Sequence, residues 1–161
     1  MPTRADINWL LIRQLDASLA QWPTAGAAER PAKGWISAVR HAIGMSSLQL
    51  AERLGITRSS LHKLEGREVD GGATLDILQR AANALDCDLV YALVPRAGSL
   101  TSTVEQRASV VARGLASRAR HTMSLEAQSV EAAEAAEQEK VVTRRLLAEL
   151  PRDLWDRSRD G

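Results

Sequence analysis

Between Ser47 and Leu64 the chain reads SLQLAERLGITRSSLHKL, and this stretch decides the fold. Two helices that cross closely need a small residue at their contact, and Ala51 supplies one. The turn between them needs a residue that tolerates positive φ, and Gly55 follows four residues after the alanine. Apolar residues fill the inner positions of both helices: Leu50, Leu54, Ile56, Leu61 and Leu64. The spacing therefore predicts a helix-turn-helix.

The outer face of the second predicted helix is polar, which suits the base edges of a DNA major groove. The candidate base-contacting residues are Thr57, Arg58, Ser59, His62 and Lys63. Arginine and lysine at two of these positions can donate to guanine O6 and N7. The candidate phosphate-contacting residues are Lys33, Arg40, Ser47, Ser60 and Arg67. The alternative is an ordinary amphipathic helix pair whose outer face is polar because it is solvated.

Charge is segregated along the chain although the net charge is only +1. From Lys33 to Glu68, six Lys and Arg oppose three acidic residues, which gives +3. From Arg96 to Arg120, five Arg oppose Glu105 alone, which gives +4, whereas residues 124–139 hold five Glu and no base. A locally basic segment around the predicted helix-turn-helix favours a nucleic-acid partner, here double-stranded DNA.

The periodicity of apolar residues predicts a mainly α-helical chain. Hydrophobic residues make up 45% of it and aromatic residues only 3%, so the core is expected to be aliphatic. The predicted helices are Asp6–Trp22, Trp35–Ile43, Leu48–Leu54, Arg58–Leu64, Leu75–Leu85, Thr101–His121 and Ser124–Leu150. The predicted N-terminal caps are Ser46 or Ser47 for the third of these helices, Thr57 for the fourth and Thr74 for the fifth. Four regions follow from this pattern. They are an N-terminal helix with a linker (1–32), the helix-turn-helix domain (33–86), a strand (87–95) and a C-terminal helical region (96–161).

The strand is the one short β-strand that the sequence predicts, because Cys87–Val94 alternates weakly and ends at Pro95. A lone strand needs a partner for its backbone groups. The simplest partner is the same strand of a second subunit, which predicts a homodimer paired through Leu89, Val90, Tyr91 and Leu93. Cys87 is interpreted as a buried or interface residue rather than a redox switch.

Several classes of function are not indicated. One cysteine cannot form a disulfide within the chain, and the three histidines lie far apart in sequence. None of the common nucleophile, phosphate-loop or metalloprotease motifs occurs, so we expect no enzyme activity, no cofactor and no metal. The start lacks the apolar stretch of a signal peptide, and no run approaches the roughly 18 apolar residues of a membrane span. A cytoplasmic protein without a membrane partner is expected.

Several motifs carry a family resemblance. Residues Gly34–Leu85 resemble the Xre-type, lambda-repressor-like helix-turn-helix family. More narrowly, four motifs together resemble the family called mobile mystery protein A: RPAKGWI (Arg30–Ile36), LAERLG (Leu50–Gly55), LDCDLVYALVP (Leu85–Pro95) and LPRDLW (Leu150–Trp155). The resemblance implies an antitoxin-like transcriptional repressor that regulates its own gene, together with a Fic-domain toxin as a possible partner. An inverted-repeat operator is expected for the dimer.

Two functions therefore remain in competition. The first is a dimeric autorepressor, and the second is an antitoxin that acts mainly by binding a Fic-type toxin. In the second, the acidic segment Glu126–Glu139 and an apolar hook at Leu154 and Trp155 would grip the partner. The C-terminal helices otherwise serve as dimer packing or as a lid on the N-terminal helix. Antitoxins that plug Fic enzymes carry Ser or Thr four residues before Glu, but Leu61 stands at that place before Glu65.

Overall fold

The computed structural model describes residues 1–22, 30–121 and 128–156, and these residues are mainly helical. They form α1 (Arg4–Leu19), α2 (Gly34–Ala42), α3 (Ser47–Leu54), α4 (Arg58–Val69), α5 (Leu75–Ala84), α6 (Leu100–His121), α7 (Gln128–Glu149) and a short 3-10 helix (Arg152–Trp155). The chain divides into two compact units. The inner unit is Gly26–Ala92, and the terminal unit combines Met1–Ala25 with Leu93–Gly161.

Helix starts are set by side-chain caps that satisfy free N–H groups of the first turn. The predicted caps Thr57 and Thr74 are confirmed, because each hydroxyl accepts a backbone N–H three residues later, at 3.1 and 3.4 Å. For α3 the sequence leaves two serines open as the cap. The structure selects Ser46, whose hydroxyl accepts the Gln49 N–H at 3.2 Å. Ser47 is consequently the first residue of the helix.

The turn between α3 and α4 has the predicted geometry. Gly55 lies in the left-handed region at φ +67°, and its N–H donates to the Glu52 carbonyl at 3.1 Å. Ala51 is almost fully buried, as a close contact between the two helices requires. The other buried apolar side chains of the inner unit surround it: Ile36, Leu50, Leu54, Leu61, Leu64, Ala81 and Leu85.

Helix α4 is longer than the sequence predicts. The prediction that it ends at Leu64 is wrong, since the helix continues through Gly66 to Val69. The last turn is held by Arg30, whose guanidinium donates to the carbonyl oxygens of Glu68 and Val69 at 3.1 and 2.7 Å. A cation at a helix C-terminus satisfies free carbonyl groups and complements the helix dipole.

The predicted strand at residues 87–95 is not found. This segment has no regular secondary structure in the described chain. Its side chains point largely into solvent, with Val90, Tyr91 and Leu93 exposed to 71%, 66% and 88%. Cys87 is exposed as well, so of its two expected places the buried one is wrong, and a place at an interface stays a prediction. The alternating pattern fails here because a strand forms only where a neighbouring backbone offers hydrogen bonds, and no described segment of the chain offers them.

The terminal unit joins the two ends of the chain in one core. Buried residues of α6 meet the ends of α1 and α7 and the 3-10 helix: Ala5, Val104, Ala108, Val111, Ala112, Leu146, Leu150 and Leu154. The Trp9 indole N–H donates to the Leu147 carbonyl at 2.8 Å, which ties α1 to α7. The two residues of the predicted apolar hook have different environments, because Leu154 is buried in this core whereas Trp155 is 55% exposed.

The acidic stretch of α7 is partly neutralised. Arg113 pairs with Glu139 at 3.2 Å, and Lys140 pairs with Glu137 at 3.4 Å. Glu126, where the predicted acidic face begins, lies outside the described residues, as does Ser124, the predicted start of the last helix. In this stretch Glu137 and Glu139 are therefore paired, whereas Glu134 is exposed and forms no ion pair with the described residues.

Asp16 caps helix α6 and carries a pH-dependent contribution to stability. Its carboxylate accepts the Leu100 N–H at 2.6 Å and the Thr101 N–H at 3.1 Å. Burial opposes ionisation, but these hydrogen bonds outweigh it and hold the pKa of Asp16 below its usual value. We expect Asp16→Ala to lower the free energy of unfolding by about 1 kcal/mol at pH 7. A lowered pKa stabilises the folded state above the unfolded-state pKa and loses that effect as pH falls through the folded value.

Urea unfolding at pH 7 and pH 3 measures how the stabilisation by Asp16 depends on pH. The effect of Asp16→Ala should shrink in acid, and Glu105→Gln, an exposed carboxylate on α6, is the matched control. An effect of Asp16→Ala that is as large at pH 3 as at pH 7 would contradict the capping role.

Candidate nucleic-acid interface

Helix α4 separates a buried face from a polar, exposed face. Leu61, Leu64, Glu65 and Glu68 are buried, whereas the predicted base-contacting residues of the helix all lie in solvent: Arg58, Ser59, His62 and Lys63. Their spacing of one, four and five residues places them on one side of an α-helix. The structure thus brings four of the five predicted base-contacting residues together on one surface of the helix.

Most of these side chains are free to bind a ligand. Within the residues that the structure describes, Arg58, Ser59 and Lys63 make no side-chain hydrogen bond or ion pair. His62 is the exception, because its Nδ1 lies 3.6 Å from Glu65 Oε2. A helix surface with unengaged donors can form hydrogen bonds with base edges without first breaking internal ones.

The first turn of α4 has a different role. The Thr57 hydroxyl accepts the Ser60 N–H at 3.1 Å, and the two hydroxyl groups lie 2.9 Å apart. Thr57 and Ser60 are exposed but are hydrogen-bonded to each other, and this contact stabilises the start of the helix. They lie at its N-terminus, where the helix dipole favours an anion such as a phosphate.

The predicted phosphate contacts are not all at the surface. Lys33 is exposed before α2, Ser47 is half-buried in the first turn of α3, and Arg67 is exposed and donates to the Gly72 carbonyl at 3.1 Å. Arg40 is only 6% exposed. Its guanidinium binds the Glu65 carboxylate at 3.0 Å and the Met45 carbonyl at 3.2 Å. Arg40 therefore holds α2 against α4, and we remove it from the phosphate set.

Two buried glutamates are the functional residues that the sequence reasoning missed. Besides the Arg40–Glu65 pair, the Glu68 carboxylate accepts the N–H groups of Trp35 and Ile36 at 2.6 and 3.0 Å. Glu68 thus caps α2 from a distant helix, since Lys33 supplies no side-chain cap. The sequence does hold a signal. Glu65 and Glu68 follow Leu61 by four and seven residues, which places them on the inner face of α4.

These contacts form a clamp, which we define as Arg40 with Glu65 and Glu68 with the first turn of α2. The clamp fixes the direction of α4 relative to α2, and with it the exposed donors of α4. Pre-ordering a binding surface reduces the entropy that is lost on association.

Other kinds of site are not evident. No group of three His, Cys, Asp or Glu side chains could hold a metal ion in the part of the chain that the structure covers. Over the same residues, none of the helices combines the length and apolar character needed to cross a bilayer.

Comparison with known proteins agrees with the geometry. Residues 36–91 match the family model described as Helix-turn-helix, which spans α2 to α5 and the segment that follows. These residues are a helix-turn-helix domain of the Xre-like, lambda-repressor type, which supports a DNA-binding regulator. No curated protein and no solved structure matches the chain. The narrower resemblance to mobile mystery protein A stays a prediction.

Proposed function

We propose that the protein is a sequence-specific transcriptional repressor that places α4 in the major groove of its operator. The observation that carries this proposal is the exposed face of α4, where Arg58, Ser59 and Lys63 have no internal partner among the described residues. A recognition helix needs donors on one rigid surface, and the core and clamp hold α4 from its opposite face.

The side chains divide by the chemistry of what they would contact. Arg58 and Lys63 read guanine through O6 and N7, and Ser59 and His62 make adaptable hydrogen bonds. Lys33 and Arg67 neutralise phosphates, which adds affinity that does not depend on sequence and weakens with salt.

We further propose that two copies bind an inverted repeat with half-sites about one helical turn apart. A single recognition helix reads too few base pairs to select one site in a genome, and a two-fold dimer doubles the contact. The exposed apolar side chains of Val90 and Tyr91, at the end of the inner unit, supply the surface that we propose for this assembly.

Autorepression rests on the family resemblance, which also implies a toxin partner. The alternative function is an antitoxin that acts mainly by binding a Fic-type toxin, and one device for it, direct plugging of the toxin's active site, finds no support on α4. Leu61 is fully buried there, and Glu65 is engaged with Arg40. We therefore place repression first and leave toxin binding as the second proposal.

The decisive experiment is binding to the promoter of the protein's own gene, located by footprinting and quantified by fluorescence anisotropy. Arg58→Ala and Lys63→Ala should each weaken specific binding by about 1–3 kcal/mol, because each removes donors to base edges. Neither should change the melting temperature, since neither side chain has a partner within the described chain. Lys33→Ala should weaken binding to all sequences alike and flatten the salt dependence.

The matched control is Arg13→Ala, an exposed arginine of α1 in the other unit. It should leave operator affinity unchanged. Normal operator binding by both Arg58→Ala and Lys63→Ala would contradict the recognition-helix assignment. Sedimentation that shows only a monomer on a full operator would contradict the dimer while leaving the reading of DNA intact.

A further inference from the structure

The terminal unit carries an open, largely apolar groove of about 300 Å³ between α1 and the 3-10 helix. Its floor is formed by buried side chains such as Leu150 and Leu154, and Trp155 forms one rim. The Arg107 guanidinium lies 5.9 Å from the Trp155 ring centroid, which holds this exposed indole in place.

Helix α1 presents two apolar faces, and the described residues of the terminal unit cover one of them. Ala5, Trp9 and Ile12 pack into the core of the terminal unit. Ile7, Leu11 and Leu15 lie on another side of the helix, at spacings of four residues, and are 48%, 50% and 52% exposed. Three exposed aliphatic side chains in one row form a continuous apolar surface, which indicates a binding face rather than scattered exposure.

Charge at the groove is of one sign. Among the residues that the structure describes, Arg4 and Arg152 line it, and no Asp or Glu does. Within the residues described, neither arginine forms an ion pair or a side-chain hydrogen bond. An apolar trough flanked by two unpaired guanidinium groups complements an apolar surface that is bordered by carboxylates.

We propose that this groove binds an amphipathic α-helix of a partner protein, with leucine-like anchors in the trough and acidic side chains opposite Arg4 and Arg152. Helix α1 has 16 residues, so at about 1.5 Å per residue it offers a seat for roughly four turns of a second helix. The site lies in the terminal unit and does not depend on the proposed reading of DNA by α4.

Two other occupants fit less well. A two-fold second copy seated here would bring the same two arginines of each protomer toward one another, with no carboxylate among the described lining residues to offset them. A single acyl chain with a carboxylate head would fill the trough but would leave Ile7, which does not line it, uncovered.

The test is selection from a displayed library of helical 14-residue peptides against the full chain, followed by anisotropy with the enriched sequences. We expect leucine-like residues three or four apart, flanked by Glu or Asp. Leu11→Asp should weaken binding at least about tenfold, because it places a charge in the trough. Leu10→Asp is the matched control, because Leu10 is 49% exposed on the same helix but does not line the groove.

Charge reversal tests the second half of the proposal. Arg152→Glu should lower the affinity for the acidic peptide at least about tenfold. The same variant should raise the affinity for a version of that peptide in which Lys replaces the acidic residues, whereas Arg13→Glu should change neither affinity. Failure to enrich any peptide, or enriched peptides that bind Leu11→Asp as well as Leu10→Asp, would overturn the site. Self-association that Leu11→Asp abolishes would assign the groove to a second copy, and tighter competition by dodecanoate than by the peptide would assign it to an acyl ligand.

Discussion

Replacing Glu65 with leucine is expected to lower the free energy of unfolding of the inner unit by about 3–5 kcal/mol, because it strands the Arg40 charge. The two side chains are only 7% and 11% exposed and lie 3.0 Å apart. A guanidinium that loses its carboxylate in such a place keeps its desolvation penalty without the compensating attraction. Amide exchange at Leu61 and Leu64 of α4 would report the loss within the inner unit alone.

The double variant Arg40→Met/Glu65→Leu should recover most of that stability, since apolar side chains of similar volume commonly replace a buried pair with little loss. His62→Ala is the control, because His62 is the other partner of Glu65: its Nδ1 lies 3.6 Å from Glu65 Oε2, and its side chain is exposed. It should change stability by less than about 1 kcal/mol. A double variant no more stable than Glu65→Leu would show that the pair does more than neutralise charge.

Gly34→Ala is expected to destabilise the inner unit by about 3–5 kcal/mol, through two causes that act together. Gly34 lies at φ +78°, which any residue with a Cβ adopts at a strain. The new Cβ would also lie 2.6 Å from Glu68 Oε2, so the carboxylate would have to leave the N–H groups of Trp35 and Ile36. The first turn of α2 would then lose its cap.

Gly44→Ala separates the two causes. Gly44 has nearly the same φ, +74°, but nothing lies within 4 Å of a Cβ built there. Backbone strain alone should therefore cost about 1–2 kcal/mol. Equal losses for the two alanine variants, measured by the same amide exchange, would show that the contact with Glu68 contributes nothing.

The sequence predicts those features whose causes are local. Thr57 and Thr74 cap helices because the hydroxyl and the N–H that it accepts lie three residues apart. Gly55 adopts positive φ because a helix ends there. The exposed face of α4 follows from the 3.6-residue period, so the order of residues along the chain is enough to group Arg58, Ser59, His62 and Lys63.

The remaining features depend on partners that are distant in sequence. Arg40 looks like a surface cation until the structure places Glu65 beside it, 25 residues later. The Arg40–Glu65 pair and the contact of Glu68 with the first turn of α2 stabilise α4 beyond Gly66, where local helix propensity predicts that the helix ends. The strand predicted for residues 87–95 is wrong for the opposite reason. Its residues alternate as in a strand, but no described segment lies beside them to form the hydrogen bonds of a sheet.

The division of the chain into an inner unit and a unit built from both ends has a consequence during synthesis on the ribosome. Every contact within the inner unit is available once residue 92 has left the exit tunnel, so this unit can fold while translation continues. Trp9 must wait for Leu147, which lies 138 residues later, and at about 5–20 residues per second this takes about 7–28 s. During that interval both apolar faces of α1 are open to chaperones. A nascent chain that stalls once residue 92 has left the tunnel would present a completed inner unit and an α1 segment whose apolar side chains still lack their core.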